Sequence, residues 1–371
     1  MNQYIYKLGH CEELAIAEFA SLCKKAKQDV KYGWLMSDTE INVNISGGLV
    51  YGGDIVGKVT IDENTKENLF NALYEYITAN VADLKKLGIS ISKEYAKDVL
   101  SLAKKAGSKK INILMDKKPN YGNWKGLKNW ILVEKIDNQL LIIKLTSYSD
   151  QQFWTQLDSF LPNSDMKRGI INLKLARSLL NLTDNKKIYD PLCGMGRLAV
   201  AGIDIKESFV LSDLDDSCLQ DCEKNVEYAK SFWSRKKDFK GEVKYVTFAQ
   251  DARTLDDVEQ DLSRCSVVTE GYLGYRFSTS PSRQEIEREL EIQQKMWRDI
   301  LASCKEKNIK EVVFCLPYYQ KKGANTLPEF IDELAEEIGY KLVRFSGKTY
   351  VLYSREKTNV GHYIVKVILQ K

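Results

Sequence analysis

The chain has 371 residues, of which 44% are hydrophobic and 29% charged, and 55 Lys and Arg against 51 Asp and Glu leave a formal net charge of +4. This composition excludes a disordered or fibrous protein, and the length suffices for two domains. No apolar run approaches the roughly 18 residues that span a bilayer, and Glu12, Glu13 and Glu18 stand where a signal peptide would be apolar. We therefore expect a soluble, cytoplasmic protein with no membrane segment.

The distribution of basic residues changes along the chain. Residues 1–160 contain 21 Lys and no Arg, whereas all 12 Arg lie at or beyond Arg168. This change predicts a domain boundary near position 160, with one region over 1–160 and a second over 161–371.

The cysteines do not follow a metal-binding pattern. The 8 Cys include no CxxC pair, and the 2 His, His10 and His362, lie far apart. Cys218 and Cys222 are one helical turn apart in a segment typical of an amphipathic helix. The sequence therefore predicts no metal site and reduced thiols.

The first region alternates between strand-like and helical patterns. This alternation predicts a mixed α+β unit. The expected elements are a strand at 4–9, a helix at 12–25, a strand at 41–45, a turn-rich stretch at 46–53, a helix at 70–81 and a strand at 87–92.

A basic segment between positions 104 and 128 holds eight lysines against one acid, Asp116, with Tyr121, Trp124 and Trp130 interleaved. Lysines can bind phosphates while aromatic rings stack on bases, which indicates a nucleic-acid contact. A solvated helix followed by a loop whose tryptophans lie in the core fits equally well. The lysines are Lys104, Lys105, Lys109, Lys110, Lys117, Lys118, Lys125 and Lys128.

The second region predicts a doubly wound α/β sheet, because strands and helices alternate and ligands then bind at the carboxyl ends of the strands. Four acids fall at such ends: Asp190, Asp213, Asp251 and Glu270. The expected strands end at or near 190, 213, 248, 269, 316, 345 and 369, and the expected helices begin near 198 and cover 283–304 and 330–337.

A glycine-rich turn follows the first of these strands. The pattern Gly194-x-Gly196-x-x-Ala199 alone would fit a nicotinamide or flavin site as well as other cofactors. Asp190 directly before the turn would repel a pyrophosphate but suits a cation. This favours S-adenosylmethionine over a dinucleotide, and Asp213 could then accept hydrogen bonds from the ribose hydroxyls.

These residues carry a resemblance to a known family. Asp190-Pro191-Leu192-Cys193-Gly194-Met195-Gly196 resembles the first motif of class I methyltransferases, in the Asp-Pro-Phe-Cys-Gly-Ser-Gly form of RNA guanine-N2 methyltransferases with a THUMP domain. The opening from Leu8 to Glu18 is similar to the start of the family that methylates guanosine 10 of tRNA. Residues 165–176 resemble the segment that leads into its methyltransferase domain.

The resemblance implies an α/β protein in which a Rossmann-like class I methyltransferase domain follows an α+β, ferredoxin-like plus THUMP, RNA-binding region. It implies S-adenosylmethionine as cofactor, tRNA as partner and, as in some relatives, a small activating subunit. Met195 and Arg197 replace the usual Ser and Thr of the motif. The residues it assigns to the cofactor are Asp190, Cys193, Gly194, Gly196, Asp213, Asp251 and Ala252, and those assigned to RNA are Lys104, Lys105, Lys109, Lys110, Lys117, Lys118 and Lys125.

The catalytic motif departs from the family pattern. Family members use Asp-Pro-Pro-Tyr, whereas this chain reads Thr269-Glu270-Gly271-Tyr272. Tyr272 keeps a ring that can stack on a flipped base, or that covers the sheet edge, and Glu270 offers a carboxylate displaced by one position. Thr269, Glu270 and Tyr272 are thus the predicted catalytic residues for methylation of guanosine N2. The alternative is a catalytically altered or inactive protein that binds cofactor and tRNA.

Overall fold

The structure, a computed structural model, describes residues 3–80, 83–118, 120–127, 129–164, 171–236, 239, 241, 243–255, 258–275, 277, 280–321, 324–354 and 358–370. Its contacts divide the chain into two compact units. The first comprises Met1–His10, Cys23–Ile45 and Leu49–Phe153, and the second comprises Cys11–Leu22, Ser46–Gly48 and Trp154–Lys371. The segment 165–170, part of the resemblance above, lies outside the described residues.

The first unit is built on a mixed sheet in the order β2-β3-β1-β4-β8-β7-β5-β6. Among these described strands, β5 pairs in parallel with β6 and with β7, and the other pairs are antiparallel. The strands are β1 Tyr4–Leu8, β2 Gln28–Lys31, β3 Trp34–Ser37, β4 Leu49–Thr60, β5 Lys86–Ile91, β6 Lys110–Met115, β7 Trp130–Ile136 and β8 Gln139–Tyr148.

Helices cover the first sheet because their apolar faces need burial. Leu69, Leu73 and Ile77 of α2 lie in one apolar core with Ile89 of β5 and Val99 of α3, all buried. This confirms the mixed α+β prediction for this part of the chain. The helices of this unit are α2 Thr65–Ala79, α3 Lys93–Lys105 and α4 Tyr121–Gly126.

Two local predictions in this region are wrong. The expected strand at 41–45 is a loop with a 3-10 turn at Val43–Ile45, because side chains take its backbone donors: Ile41 N–H donates to Tyr6 Oη at 2.7 Å. The expected turn at 49–53 is the start of β4. A Cβ on Gly52 would lie 2.4 Å from the Tyr6 ring, so the glycine lets strand and ring pack closely.

The second unit contains a sheet in the order β11-β10-β9-β12-β13-β17-β15, with β14 paired to β13 and β16 paired to β17. The first five are parallel, and β17 runs antiparallel to β13. The strands are β9 Lys187–Asp190, β10 Ser208–Asp213, β11 Lys244–Ala249, β12 Ser266–Thr269, β13 Glu311–Lys321, β14 Ala324–Thr326, β15 Tyr340–Leu342, β16 Tyr350–Tyr353 and β17 Val360–Leu369.

This second sheet confirms the α/β, Rossmann-like prediction. The order reverses between β9 and β12, which is the topological switch point where such sheets bind ligands. β13 continues through Pro317, where the sequence indicated a strand end. The helices of this unit are α1 Glu12–Leu22, α6 Leu173–Asn181, α7 Arg197–Gly202, α8 Asp216–Trp233, α9 Arg283–Glu306 and α10 Phe330–Ile338, while α5 Gln151–Ser159 crosses the unit boundary.

Helix α1 belongs to the second unit, which differs from the predicted boundary near 160. Glu18 of α1 is fully buried and accepts hydrogen bonds from Gly47 N–H and Gly48 N–H, each at 2.8 Å, and from Asn181 Nδ2 of α6 at 2.6 Å. A buried carboxylate needs such donors. They join 11–22 and 46–48 to the second unit.

Candidate functional site

Four acidic residues stand at the carboxyl ends of four neighbouring parallel strands. Asp190 ends β9, Asp213 ends β10, Asp251 follows β11 and Glu270 follows β12. The switch point lies between β9 and β12. The placement expected from the sequence is therefore confirmed, and the acids line one edge of the sheet.

The glycine turn after β9 takes its shape from two left-handed residues, Gly194 (φ +48°) and Gly196 (φ +74°). A Cβ at Gly196 would lie 2.5 Å from Cys222 Sγ of α8, whereas at Gly194 no described atom lies within 4 Å of that position. Gly196 thus allows close packing of turn and helix, and Gly194 leaves space above the turn. Cys193 is buried and donates its N–H to Ser212 O at 2.9 Å.

Asp213 fixes this turn. Its Oδ2 accepts from Gly194 N–H at 2.8 Å, and its Oδ1 accepts from Asp215 N–H at 3.1 Å. Each carboxylate oxygen can accept a second hydrogen bond, so the half-buried side chain still offers acceptors to a ligand. Leu214, the next residue, is 69% exposed, which is unusual for a leucine at the end of a central strand.

Asp190 is a buried carboxyl group. Burial raises the pKa of Asp190 to about 7; a hydrogen bond from Thr269 opposes this, and the charges of Asp213 and Glu270 add to it. Leu192 N–H also donates to Asp190 Oδ1 at 3.3 Å. A cation beside Asp190 would favour its ionised form.

Asp251 and Ala252 lie at the next strand end in different surroundings. Arg253 binds the Asp251 carboxylate in a fork, with Nε to Oδ1 at 2.9 Å and Nη2 to Oδ2 at 2.6 Å, and lowers the pKa of Asp251. Ala252 is buried in the core that also contains Trp297. A ligand at the carboxyl end of β11 would therefore contact backbone groups, because Arg253 already binds the Asp251 carboxylate.

The three predicted catalytic residues have different exposures. Thr269 is fully buried, and its Oγ1 accepts from Gly271 N–H at 3.1 Å, so it contacts the chain rather than a substrate. Glu270 is partly exposed and its Oε1 lies 2.7 Å from His362 Nε2. Tyr272 is 46% exposed, with its ring available on the surface.

The backbone after Glu270 is shaped by Gly271 (φ +75°), at a position where the catalytic motif that the sequence resembles has proline. A Cβ there would lie 2.9 Å from the ring of Trp297. The buried Gln293 of α9 donates from Nε2 to Tyr272 O at 2.8 Å. Packing against α9 therefore sets the backbone geometry that the prolines would otherwise impose.

Two buried polar atoms near this segment have no hydrogen-bond partner among the described residues. They are Gln293 Oε1 and Tyr319 Oη. Glu289 accepts from Tyr275 N–H at 3.1 Å and contributes to raising the pKa of both Tyr272 and Tyr319, for which burial is the larger cause. A buried polar atom without a partner is unusual in a folded chain, so the two atoms are candidates for contacts with a ligand or with water.

Sequence reasoning did not assign His362, Gln293 or Leu214 to the site. His362 and Gln293 lie 92 and 21 residues from their partners Glu270 and Tyr272, so no spacing rule connects them. The sequence does contain a signal for Leu214, because this apolar residue directly follows Asp213, the acid that ends β10.

The basic segment lies wholly in the first unit. Lys104 and Lys105 end α3, Lys109 directly precedes β6, Lys110 begins β6, and these four side chains are exposed. Lys117 and Lys118 are also exposed, and Lys118 forms an ion pair with Glu134. The side chain of Lys125 and all of Lys128 lie outside what the structure describes.

The tryptophans of this segment are structural. Trp130 is fully buried and donates from Nε1 to Asn123 O at 3.3 Å, and the partly buried Trp124 stacks on Tyr148 at 6.4 Å between ring centroids. Trp130 cannot stack on a base without leaving the core, and one face of the Trp124 ring already packs on Tyr148. The alternative in which the tryptophans belong to the core is therefore the correct one for Trp130.

Other sequence expectations concern metals, thiols and membranes. Among the described residues no group of three or more His, Cys, Asp or Glu could hold a metal ion, and none of the helices they form has the length and apolarity to cross a bilayer. Cys218 and Cys222 are buried on α8, which confirms the predicted helix.

Arg197 stands where the motif that the sequence resembles has Thr. Its Nε donates to Ile171 O at 2.7 Å.

Comparison with solved structures gives a structural likeness at low sequence identity. No protein-family model and no curated protein sequence matches the chain. SMU.472, a putative methyltransferase complexed with SAH, has 12% identity and a TM-score of 0.45, covering 100% of this chain and 99% of that chain. A possible methylase from Clostridium difficile 630 has 12% identity and a TM-score of 0.44, covering 98% of each chain.

A predicted N6-adenine-specific DNA methylase from Listeria monocytogenes has 13% identity and a TM-score of 0.43, covering 98% of this chain and 96% of that chain. At these values the likeness bears on neither cofactor nor substrate. The fold and the site rest on the strand order and contacts of the chain itself.

Proposed function

We propose that this chain is an S-adenosylmethionine-dependent RNA methyltransferase that methylates the exocyclic N2 of a guanosine in tRNA. The cofactor class rests on one observation, the 2.8 Å hydrogen bond from Gly194 N–H to Asp213 Oδ2 in the turn beside the buried Asp190.

This contact argues against a dinucleotide. In a dinucleotide site the N–H groups of the turn and the following helix face a pyrophosphate. Here a carboxylate takes the Gly194 N–H, and a second acid, Asp190, stands at the same turn. Two carboxylates would repel a phosphate and attract the ammonium and sulfonium of S-adenosylmethionine. The antiparallel β17 between β13 and β15 also departs from the strand order 3-2-1-4-5-6 of dinucleotide folds.

The residues present fit this cofactor. Asp213 has acceptor capacity for ribose hydroxyls, and the open space above Gly194 leaves room beside the turn for the methionine moiety. Because Arg253 occupies the Asp251 carboxylate, we assign adenine to the backbone of Asp251 and Ala252 and to the exposed Leu214. When bound, the cofactor supplies an electrophilic methyl group.

Glu270 and Tyr272 supply the substrate side. The Glu270 carboxylate can accept a hydrogen bond from an exocyclic amine, stabilise positive charge on that nitrogen and take its proton. The exposed Tyr272 ring can stack on a base that leaves its helix. Thr269 acts as a positioning residue, because its side chain contacts Gly271 N–H and Asp190. Holding amine and methyl in line supplies most of the remaining rate.

The first unit would bind the tRNA. The four exposed lysines Lys104, Lys105, Lys109 and Lys110 are suited to phosphate contacts that do not depend on base identity. The ferredoxin-like plus THUMP organisation and a small activating subunit belong to this proposal as well.

The test is incubation of the purified chain with labelled S-adenosylmethionine and total tRNA, followed by nucleoside mass spectrometry. We expect N2-methylguanosine that is lost in Asp213→Ala and Glu270→Ala and retained in Asp216→Ala, a matched exposed acid on α8. Cofactor and tRNA binding without methylated guanosine would instead support an inactive RNA-binding protein. Thermal stabilisation by NAD and not by S-adenosylhomocysteine would overturn the cofactor assignment.

A further inference from the structure

The Glu270 carboxylate has a specific side-chain partner on another strand. His362 lies on β17, and its Nε2 is 2.7 Å from Glu270 Oε1. Both side chains are mostly buried, at 17% exposure for His362 and 20% for Glu270. A contact of this length between a carboxylate and an imidazole is a strong hydrogen bond, and low local exposure strengthens it.

The imidazole is itself held in place. Tyr353 of β16 is paired with His362 in the strand register, and its ring meets the imidazole edge to face at 5.7 Å between centroids. β17 also pairs with β13, and His362 is opposite Pro317 in that register. A ring that packs edge to face on Tyr353 is restricted in its rotamers, so it can fix the carboxylate that it contacts.

The charges around Glu270 make such a partner necessary. Glu270 stands close enough to Asp190 and to the buried Cys315 to contribute to raising the pKa of each, after burial as the larger cause. Among the described residues, His362 is the side chain in contact with this carboxylate, and a ring N–H at Nε2 can donate to Oε1.

We propose that His362 is the positioning residue for Glu270, with Nε2–H binding Oε1 so that Oε2 is presented to the substrate amine. This inference rests on the proposed methyltransferase function. It explains how one carboxylate, displaced from the family position and lacking the flanking prolines, keeps a defined orientation. The two side chains act as a unit in which the imidazole never touches the substrate.

The first measurement is independent of activity. The chain has 2 His, so in a His10→Gln background the imidazole signals in ¹⁵N-resolved NMR belong to His362 alone. We expect a downfield Nε2–H proton resonance of a strongly hydrogen-bonded imidazole, and its loss in Glu270→Gln. An identical resonance in both proteins would overturn the inference.

The second measurement separates positioning from binding. His362→Leu should lower kcat about 100-fold while the KM for tRNA and the affinity for S-adenosylhomocysteine stay within about twofold. His362→Gln, whose amide N–H can reach the same oxygen, should recover at least tenfold of that loss, and His10→Gln should match the wild type.

The outcomes distinguish the two proposals. Methylation by His362→Leu at the wild-type kcat would overturn this inference and leave the methyltransferase proposal intact. Failure of the wild-type chain to bind the cofactor would overturn both. If the melting curve shows that His362→Leu does not fold, the kcat of His362→Gln and the NMR resonance test the inference in its place.

Discussion

The carboxylate of Glu18 on α1 accepts a hydrogen bond from Asn181 Nδ2 on α6 at 2.6 Å across 163 residues of sequence. The same side chain also binds Ser46 Oγ at 2.8 Å and Ser178 Oγ at 3.1 Å. A fully buried carboxylate with this many donors organises the segments around it, because the donors share it as an acceptor away from water.

Glu18→Ala should therefore destabilise the second unit by about 3 kcal/mol, since several buried donors lose their acceptor together. Urea unfolding followed by tryptophan fluorescence measures this change. Glu12→Ala, an exposed acid in the first turn of the same helix, should change the unfolding free energy by less than about 0.5 kcal/mol. Equal effects of the two substitutions would contradict the role of Glu18.

Asp190 makes stability depend on pH. Because burial raises its pKa to about 7, the folded chain holds a proton there that the unfolded chain releases near pH 4. The stability from this proton is complete below about pH 4 and is lost as the pH rises through 7. Asp190→Asn lacks the titration, so its stability relative to the wild type should increase by on the order of 3 kcal/mol between pH 5 and pH 8. Urea unfolding at both pH values tests this, and a constant difference would refute it.

The same titration predicts how the cofactor binds. A cation near Asp190 prefers the ionised carboxylate, so the affinity of the wild type for S-adenosylmethionine should increase from pH 6 to pH 8. Calorimetric titration measures the Kd at each pH. In Asp190→Asn the affinity should be lower and nearly independent of pH over this range.

The second unit was more predictable from sequence than the first, for a physical reason. Parallel buried strands such as β10 and β12 are short apolar runs that end in an acid or are directly followed by one, so both the strand and the site residue are visible locally. The predictions for 41–45 and 49–53 differ from the structure because the conformation there depends on Tyr6, whose hydroxyl accepts from Ile41 N–H and whose ring packs on Gly52. Such contacts leave no periodic signal.

The site shows the same limit. Asp190, Asp213 and Glu270 were found because each stands at the end of its own strand. His362 was not, because its role depends on the order of β12, β13 and β17 in the sheet. The ion pair between Arg253 and Asp251 is compatible with their spacing of two residues. The sequence is equally compatible with an arginine that points into solvent and leaves Asp251 without this partner.

The exposed lysines predict salt-dependent tRNA binding. Replacing Lys104, Lys105, Lys109 and Lys110 with Gln should weaken binding and reduce the slope of log K against log salt by about 0.7 for each phosphate that the protein no longer neutralises. Filter binding from about 50 to 300 mM salt measures the slope. The matched control replaces four exposed lysines of the second unit, Lys187, Lys224, Lys244 and Lys341. A flat salt response of the wild type would remove tRNA as the partner.

The two glycines of the turn should respond differently to alanine. Both have positive φ, so each substitution costs about 1 kcal/mol in backbone strain. Gly196→Ala adds a clash, because its Cβ would lie 2.5 Å from Cys222 Sγ, and we expect a further loss of about 1–3 kcal/mol. At Gly194 the Cβ meets open space where we place the cofactor, so Gly194→Ala should remain folded and lose most of its affinity for S-adenosylhomocysteine.

A double-mutant cycle separates these causes. Cys222→Ala removes the sulfur that the Gly196→Ala methyl group would meet, so the double variant should recover about 1 kcal/mol relative to the sum of the single changes. Cys222→Ala combined with Gly194→Ala should show no such coupling, because no described atom stands within 4 Å of that Cβ position. Absence of coupling at Gly196 would mean that backbone strain alone decides that substitution, and a Gly194→Ala protein that keeps its affinity for S-adenosylhomocysteine would contradict the placement of the cofactor above Gly194.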